Sequence, residues 1–156
     1  MKNKKYEIKY LTKEFYLHYD EANFPEILHK EDRPYFVFVI KIKNNTFAVP
    51  FRTNISHNQS YKFKNSNKAT KSHTGLDFSK SVIVNEDKYI GTLTKIDSKE
   101  YIELENRVEF IIKKFTVYIK NYIKYVKANN TTMLNIKYQY SSLKYFKYEL
   151  GLDEDK

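Results

Sequence analysis

The stretch YFVFVIKIKNNTFAVPFR, residues 35–52, decides the architecture. Residues 35–43 are apolar on both faces and rich in aromatic and β-branched side chains, which predicts a central strand. Asn44 and Asn45 tolerate positive φ in a tight turn, so residues 46–51 are expected to return antiparallel as a hairpin. Pro50 has no N–H to give to a ladder, which predicts an edge or a bulge there. Working outward, residues 5–11 alternate weakly as a short strand. Thr12 with Glu14 predicts a short helix that ends before Pro25. SYKFK at 60–64 and the segment 79–91 read as further strand, and the polar residues 65–75 read as a loop.

The second half of the chain has a different period. Asp97 and Glu100 form a capping-box pattern that opens a long helix. Leu104, Val108, Ile111, Phe115, Tyr118, Tyr122 and Tyr125 recur at spacings of three and four, which defines one apolar stripe. Lys113, Lys120, Lys124 and Lys127 share another face. Acids stand in the first turns and lysines in the last, as the helix dipole favours. Residues 128–132 stop this helix, and a second short helix is expected over 141–150, closed by Gly151. Strands come first and helices mostly last, so the 156 residues are expected to form one α+β domain.

Composition narrows the function classes. The chain has no cysteine, which excludes disulfides, thiolate catalysis and cysteine-ligated zinc. No segment approaches 18 uninterrupted apolar residues and the first ten residues lack the apolar run of a signal peptide, so a cytoplasmic protein is expected. The net charge of +9 points to a polyanionic partner, nucleic acid before an anionic membrane surface. An AT-biased gene would raise lysine everywhere, but it would not segregate the acids. From Phe110 to Tyr148 there are eight lysines and no acid, and from Lys41 to Lys80 eight basic residues stand against one acid, Asp77. Glycine-rich phosphate loops and the GxSxG elbow are missing, and His18, His29, His57 and His73 lack metal-ligand spacing. No metal or cofactor is expected.

What remains is the exit of the hairpin, TFAVPFRTNISHN at 46–58. RNA can be cut without a metal when its own 2′-hydroxyl attacks the neighbouring phosphorus, leaving a 2′,3′-cyclic phosphate and a 5′-hydroxyl. The protein then supplies a base, an acid and donors for developing negative charge. Arg52 suits phosphate because its fork meets two oxygens at once. His57 can move a proton near neutral pH, and Thr53, Asn54 and Ser56 can donate or orient. Polar residues also simply end strands, so the same stretch reads as an ordinary hairpin exit. In GLDFSK at 75–80, Lys80 would reach a phosphate at Arg52 if its strand lay beside residues 46–51; otherwise it is a surface lysine and Gly75 a turn. The lysine face of the long helix offers phosphate contacts, and its tyrosines are either base platforms or, as is commoner at helical spacing, core.

The blocks RPYFVFVIKI, FAVPFRTNISHN and GLDFSKSVIV, in this order and followed by a long basic helix, resemble type III toxin–antitoxin toxins of the ToxN, AbiQ, CptN and TenpN group, with the CptN and TenpN branches nearest. The resemblance spans most of the chain. It implies a compact, strongly curved antiparallel sheet, a Kid/MazF-like barrel, with flanking helices. It implies a metal-independent, sequence-selective endoribonuclease inhibited by a small repetitive pseudoknot RNA, with several toxin copies closed into a ring with that RNA, and phage defence by abortive infection. On this chain the hydroxyl at the strand end falls on Thr53, its neighbour on Arg52 and the lysine of the third block on Lys80. Where ToxN-like members carry Thr-Ser-Pro-Lys this chain has Arg-Thr-Asn-Ile, so the lysine following the hydroxyl has no counterpart, and Lys80, Arg52 or His57 would take its place. The expected catalytic set is Arg52, Thr53, His57 and Lys80; expected RNA contacts are Arg33, Asn54, Ser56, Lys62, Lys64, Ser79, Lys113, Lys114 and Lys120. The rival readings are a single-strand RNA-binding module without chemistry, and a membrane-surface protein that uses the long helix.

Overall fold

A computed structural model describes residues 6–29, 35–66 and 74–153. The expected hairpin stands at its centre. Strand β2 (Phe36–Ile42) pairs antiparallel with β3 (Asn45–Arg52) from Ile42 opposite Asn45 to Val37 opposite Pro50. The turn is one residue earlier than the Asn-Asn pair suggests: it is Lys43–Asn44, and Lys43 takes the positive φ, 54°. Strand β1 (Tyr6–Leu11) adds to the far side of β2, followed by helix α1 (Lys13–His18), whose cap Thr12 accepts from the Phe15 N–H. The remaining strands are short: β4 (Ser60–Lys62), β5 (Gly75–Asp77), β6 (Val82–Ile83) and β7 (Ile90–Leu93). Together they make a seven-stranded antiparallel sheet of order β4-β5-β3-β2-β1-β7, with β6 also on β3. The sheet is open, with β4 and β7 as its edges, so it is not a closed barrel.

Pro50 lies inside this sheet rather than at its edge. Its missing donor coincides with a break on one side of β3: β6 pairs at Phe47 and Ala48, β5 pairs at Phe51 and Arg52, and nothing pairs between. The chain bridges that gap with a single 3₁₀ turn, Phe78–Lys80. A proline thus divides what would have been one neighbouring strand in two.

Both faces are covered. Helix α2 (Ser98–Lys127), capped by the Asp97 carboxylate on the Lys99 and Glu100 N–H groups, lies over the face that carries Phe47 and Tyr61. Leu104, Ile111, Phe115, Tyr118 and Tyr122 of the expected stripe are buried, with Val108 and Tyr125 packed at its margin. The helix tyrosines are therefore core, which leaves its lysines as the exposed groups. On the opposite face Phe15, Ile27, Val37, Ala48 and Val82 close together. Beyond α2 the chain forms a helix that periodicity missed, α3 (Thr131–Tyr138), capped by Asn130 on the Met133 N–H. The helix expected over 141–150 is only a 3₁₀ turn, Ser142–Phe146, with Gly151 closing at φ 76° as expected. Among the described residues no helix is long and apolar enough to cross a membrane.

The aromatic core makes stability pH-dependent on the alkaline side. Burial first, and then the negative fields of Glu149 and Asp153, push Tyr19 and Tyr122 up to about 12. Burial also raises Tyr118 and Tyr138. An unfolded chain ionises tyrosine near about 10, so this stabilisation is complete below that pH and is lost as pH rises through the folded values. Urea midpoints should hold between pH 7 and 9 and fall steeply between pH 10 and 12; a flat profile to pH 12 would contradict buried phenols.

Candidate functional site

The site forms where the broken strand turns. Asp77, the last residue of β5, is completely buried, and its carboxylate caps the 3₁₀ turn by accepting from the Ser79 N–H at 3.0 Å and the Ser79 hydroxyl at 2.6 Å. Arg52, the last residue of β3, donates from Nη1 to Asp77 Oδ2 at 2.6 Å. His57 Nε2 lies 3.1 Å from Oδ1 of the same carboxylate. One buried acid thus gathers an arginine, a histidine and a serine from three segments. The cost of burying its charge is offset by four donors.

Strand pairing explains why these groups meet. Arg52 stands opposite Gly75, and Gly75 stands opposite Lys62, so one row runs across β3, β5 and β4. Side chains alternate along a strand, which places Asp77 and Ser60 on the same face as this row. Gly75 lets the strands close: a Cβ there would stand 2.1 Å from the Tyr61 carbonyl oxygen. The loop from 53 to 59 returns His57 to Asp77 through Asn54 at φ 58° and a fully buried Ile55. Asn tolerates that left-handed position better than most residues. Asn54 therefore shapes the loop, whatever else it touches.

The geometry fixes the histidine tautomer. The Gln59 backbone N–H donates to His57 Nδ1 at 3.1 Å, so Nδ1 carries a lone pair and the proton sits on Nε2, facing Asp77. Both ring nitrogens are engaged within the protein. Proton transfer by His57 then requires the Gln59 bond to open first. In this arrangement the imidazole orients Asp77, and Asp77 orients Arg52. The guanidinium remains about one-third exposed, so its free edge is open to solvent.

The other expected site residues are distributed unevenly. Thr53, Asn54 and Ser56 are exposed along the loop beside Arg52, and Ser79 is buried on Asp77. Lys80 follows in the same turn, borders Pro50 on the opposite side of the break, and donates to Glu26 at 3.1 Å and to the Tyr140 carbonyl at 2.8 Å. The strand that follows it, β6, lies beside β3, but Lys80 itself stands in the 3₁₀ turn, its charge is balanced by Glu26, and none of its described bonds joins Arg52, Asp77 or His57, so the expected reach to Arg52 is not made. Lys114 reaches from α2 to the Ser60 carbonyl at 2.8 Å, on the edge strand β4. Burial, and then repulsion from Lys62, hold its ammonium below the ordinary lysine range. Lys62, in Arg52's row, and Lys114 repel one another and form no ion pair among the described residues, which favours an anion beside them. Lys64 is exposed just beyond β4, and Lys113 and Lys120 lie on the outer face of α2. Arg33 falls outside the described residues.

Sequence reasoning missed Asp77 as the organiser. The available signal was its isolation as the one acid between Lys41 and Lys80, next to a serine two residues on. Compared with family models, with curated proteins and with solved structures, the chain matches none.

Asp77→Asn keeps the shape of the acceptor but leaves Arg52 without its counter-charge. It should cost on the order of 3–5 kcal/mol of stability, measured by urea unfolding. Gly75→Ala places a methyl against backbone and should detach β4, seen as loss of amide protection at Ser60–Lys62 while β2 and β3 stay protected.

Proposed function

We propose that the protein is a metal-independent endoribonuclease toxin of the type III toxin–antitoxin kind. In this reading the RNA 2′-hydroxyl attacks its own phosphodiester at Arg52, leaving a 2′,3′-cyclic phosphate and a 5′-hydroxyl. The observation that carries the reading is the Arg52 guanidinium held on a buried Asp77, with Lys62 in its row and Lys114 on the Ser60 carbonyl, neither in an ion pair among the described residues. A fixed guanidinium does not reorganise as charge develops on the phosphoryl oxygens, which is where such a donor has most effect. Thr53, exposed next to Arg52, donates to a phosphate oxygen or orients the 2′-hydroxyl. His57 transfers a proton once RNA displaces the Gln59 N–H from Nδ1, and Lys80 contributes once released from Glu26. Cytoplasmic action, a strong barrel-like curvature of the sheet, inhibition by a repetitive pseudoknot RNA on the same basic surface, ring assembly and phage defence belong to this proposal through the resemblance of the hairpin blocks.

One observation favours the rival, a single-strand RNA-binding module: both nitrogens of His57 are already used. The two readings separate by product. In EDTA, a mixed RNA should yield 2′,3′-cyclic phosphate and 5′-hydroxyl ends with the wild type. Arg52→Lys keeps an ion pair to Asp77 but loses the fork, and should cut the rate by about 10²–10³-fold, the usual effect of losing one well-placed donor, with the fold retained by circular dichroism. Intact RNA under conditions of demonstrated binding would establish the module instead. Binding in either case should weaken with salt, with a slope of about 0.7 per phosphate contact on logarithmic axes.

A further inference from the structure

A second hollow lies along α2, past the end of β4. It has a volume of about 500 Å³ and is lined by Tyr61, Lys64, Asn65, Lys99, Asn106 and Arg107, among others. That volume falls in the range of small-ligand sites, roughly 300–1,000 Å³. Its floor is built around Glu103, which is buried and accepts from the Tyr61 hydroxyl and from the backbone N–H groups of Lys64 and Asn65. Glu103 is thereby committed to holding the chain that leaves β4 against the helix. The three cations at the rim, Lys64, Lys99 and Arg107, form no ion pair among the described residues. Arg107 is held in place differently: its guanidinium lies over the Phe110 ring, 4.3 Å from the centroid. Asn65 and Asn106 bring side-chain amides, groups that pair with the edge of a base. Ile102 and Phe110, 60% and 46% exposed, leave apolar surface on a cationic helix face.

We infer that this hollow is a nucleotide subsite, holding one nucleotide of a single-stranded RNA that continues from the Arg52 centre. The inference rests on the proposed RNA reading and extends it. Arg107 and Lys99 hold a phosphate, the guanidinium offers a plane on which a base stacks, and the asparagine amides meet the base edge. The two sites are joined by the edge strand. Ser60 stands opposite Asp77, Lys62 opposite Gly75, and Lys64 opens into the hollow. Lys62 shares Arg52's row two strands away, at about 4.8 Å per strand, and Lys64 follows two residues later, so the sites are separated by on the order of 10 Å. Lys62 stands in the row between them and Lys114 reaches the Ser60 carbonyl at 2.8 Å, so a strand of phosphates meets positive charge on the way. A nucleotide also accounts for the composition of the hollow better than a free anion does, since a phosphate alone makes no use of the two amides or the exposed Ile102 side chain.

The test uses a six-nucleotide RNA with 2′-O-methyl sugars, which lacks the nucleophile, and its binding measured by fluorescence anisotropy at several salt concentrations. The paired substitution Lys99→Gln with Arg107→Gln should weaken binding at least tenfold and lower the logarithmic salt slope by about 0.7 for each phosphate no longer neutralised. Asn106→Asp, which adds charge without removing bulk, should also weaken it. If the wild type binds the six-nucleotide RNA and both hollow variants bind it equally well with an unchanged slope, the subsite is overturned while the RNA reading stands. If the wild type binds no RNA at low salt, both are overturned. Unchanged melting temperatures in the variants separate a weakened RNA site from a damaged fold.

Discussion

The carboxylate of Asp77 is the interaction on which the rest of the site depends. It is the meeting point of β3, the loop that follows β3, and the 3₁₀ turn that splits β5 from β6. Arg52 alone, at the end of a strand, would be a long side chain sampling many rotamers. Held at 2.6 Å by a buried acid, it becomes a directed donor whose other edge remains available. The acid in turn is tolerated inside the protein because the arginine, the imidazole and both donors of Ser79 satisfy it. The stability of the broken sheet edge and the orientation of Arg52 at the proposed anion site are therefore one electrostatic problem with one solution.

The surface around that centre follows from what the core leaves over. Helix α2 must bury one side on the sheet, and it does so with Leu104, Ile111, Phe115 and Tyr118. Its lysines are consequently left facing outward or toward the open edge at β4, where Lys114 wraps onto the Ser60 carbonyl. An edge strand ordinarily presents unpaired backbone groups, and charged residues blunt that hazard. Here the same lysines that protect the edge also line the proposed RNA path from Arg52 to the hollow beside Arg107. Glu103 and Glu100 keep the strand exit and the helix together, through Tyr61 and Ser66, so the acids near this surface are already engaged with the protein.

How much of this was legible in the chain depended on the range of the interaction. The hairpin, α1 with its Thr12 cap and α2 with its Asp97 cap are written locally, as alternation, periodicity and short-range hydrogen bonding; the hairpin and α2 stand within a residue or so of expectation, and α1 starts at its cap but ends already at His18. Helix α3 was not legible because TTMLNIKY carries no amphipathic stripe; its helix is held by the Asn130 cap and by Tyr138 packing on Tyr118. The helix expected over 141–150 gave way to a tight turn because the Ser142 hydroxyl is drawn to the Ser79 and Ser81 carbonyls. Pro50 was correctly marked as a disruption, but its location inside the sheet depended on partners that lie some thirty residues further along.

By itself the sequence determined the α+β order, the strongly cationic character and the polar exit of β3 with Arg52 in it, since each is a property of neighbouring residues or of composition. Only the tertiary structure decided that Asp77 sits beneath Arg52, that His57 spends both nitrogens on Asp77 and Gln59, and that Lys80 turns to Glu26 instead. Those outcomes are set by which strand edges meet and by which charges must be neutralised once water is removed. Such choices are made between residues far apart in the chain, where no local pattern records them.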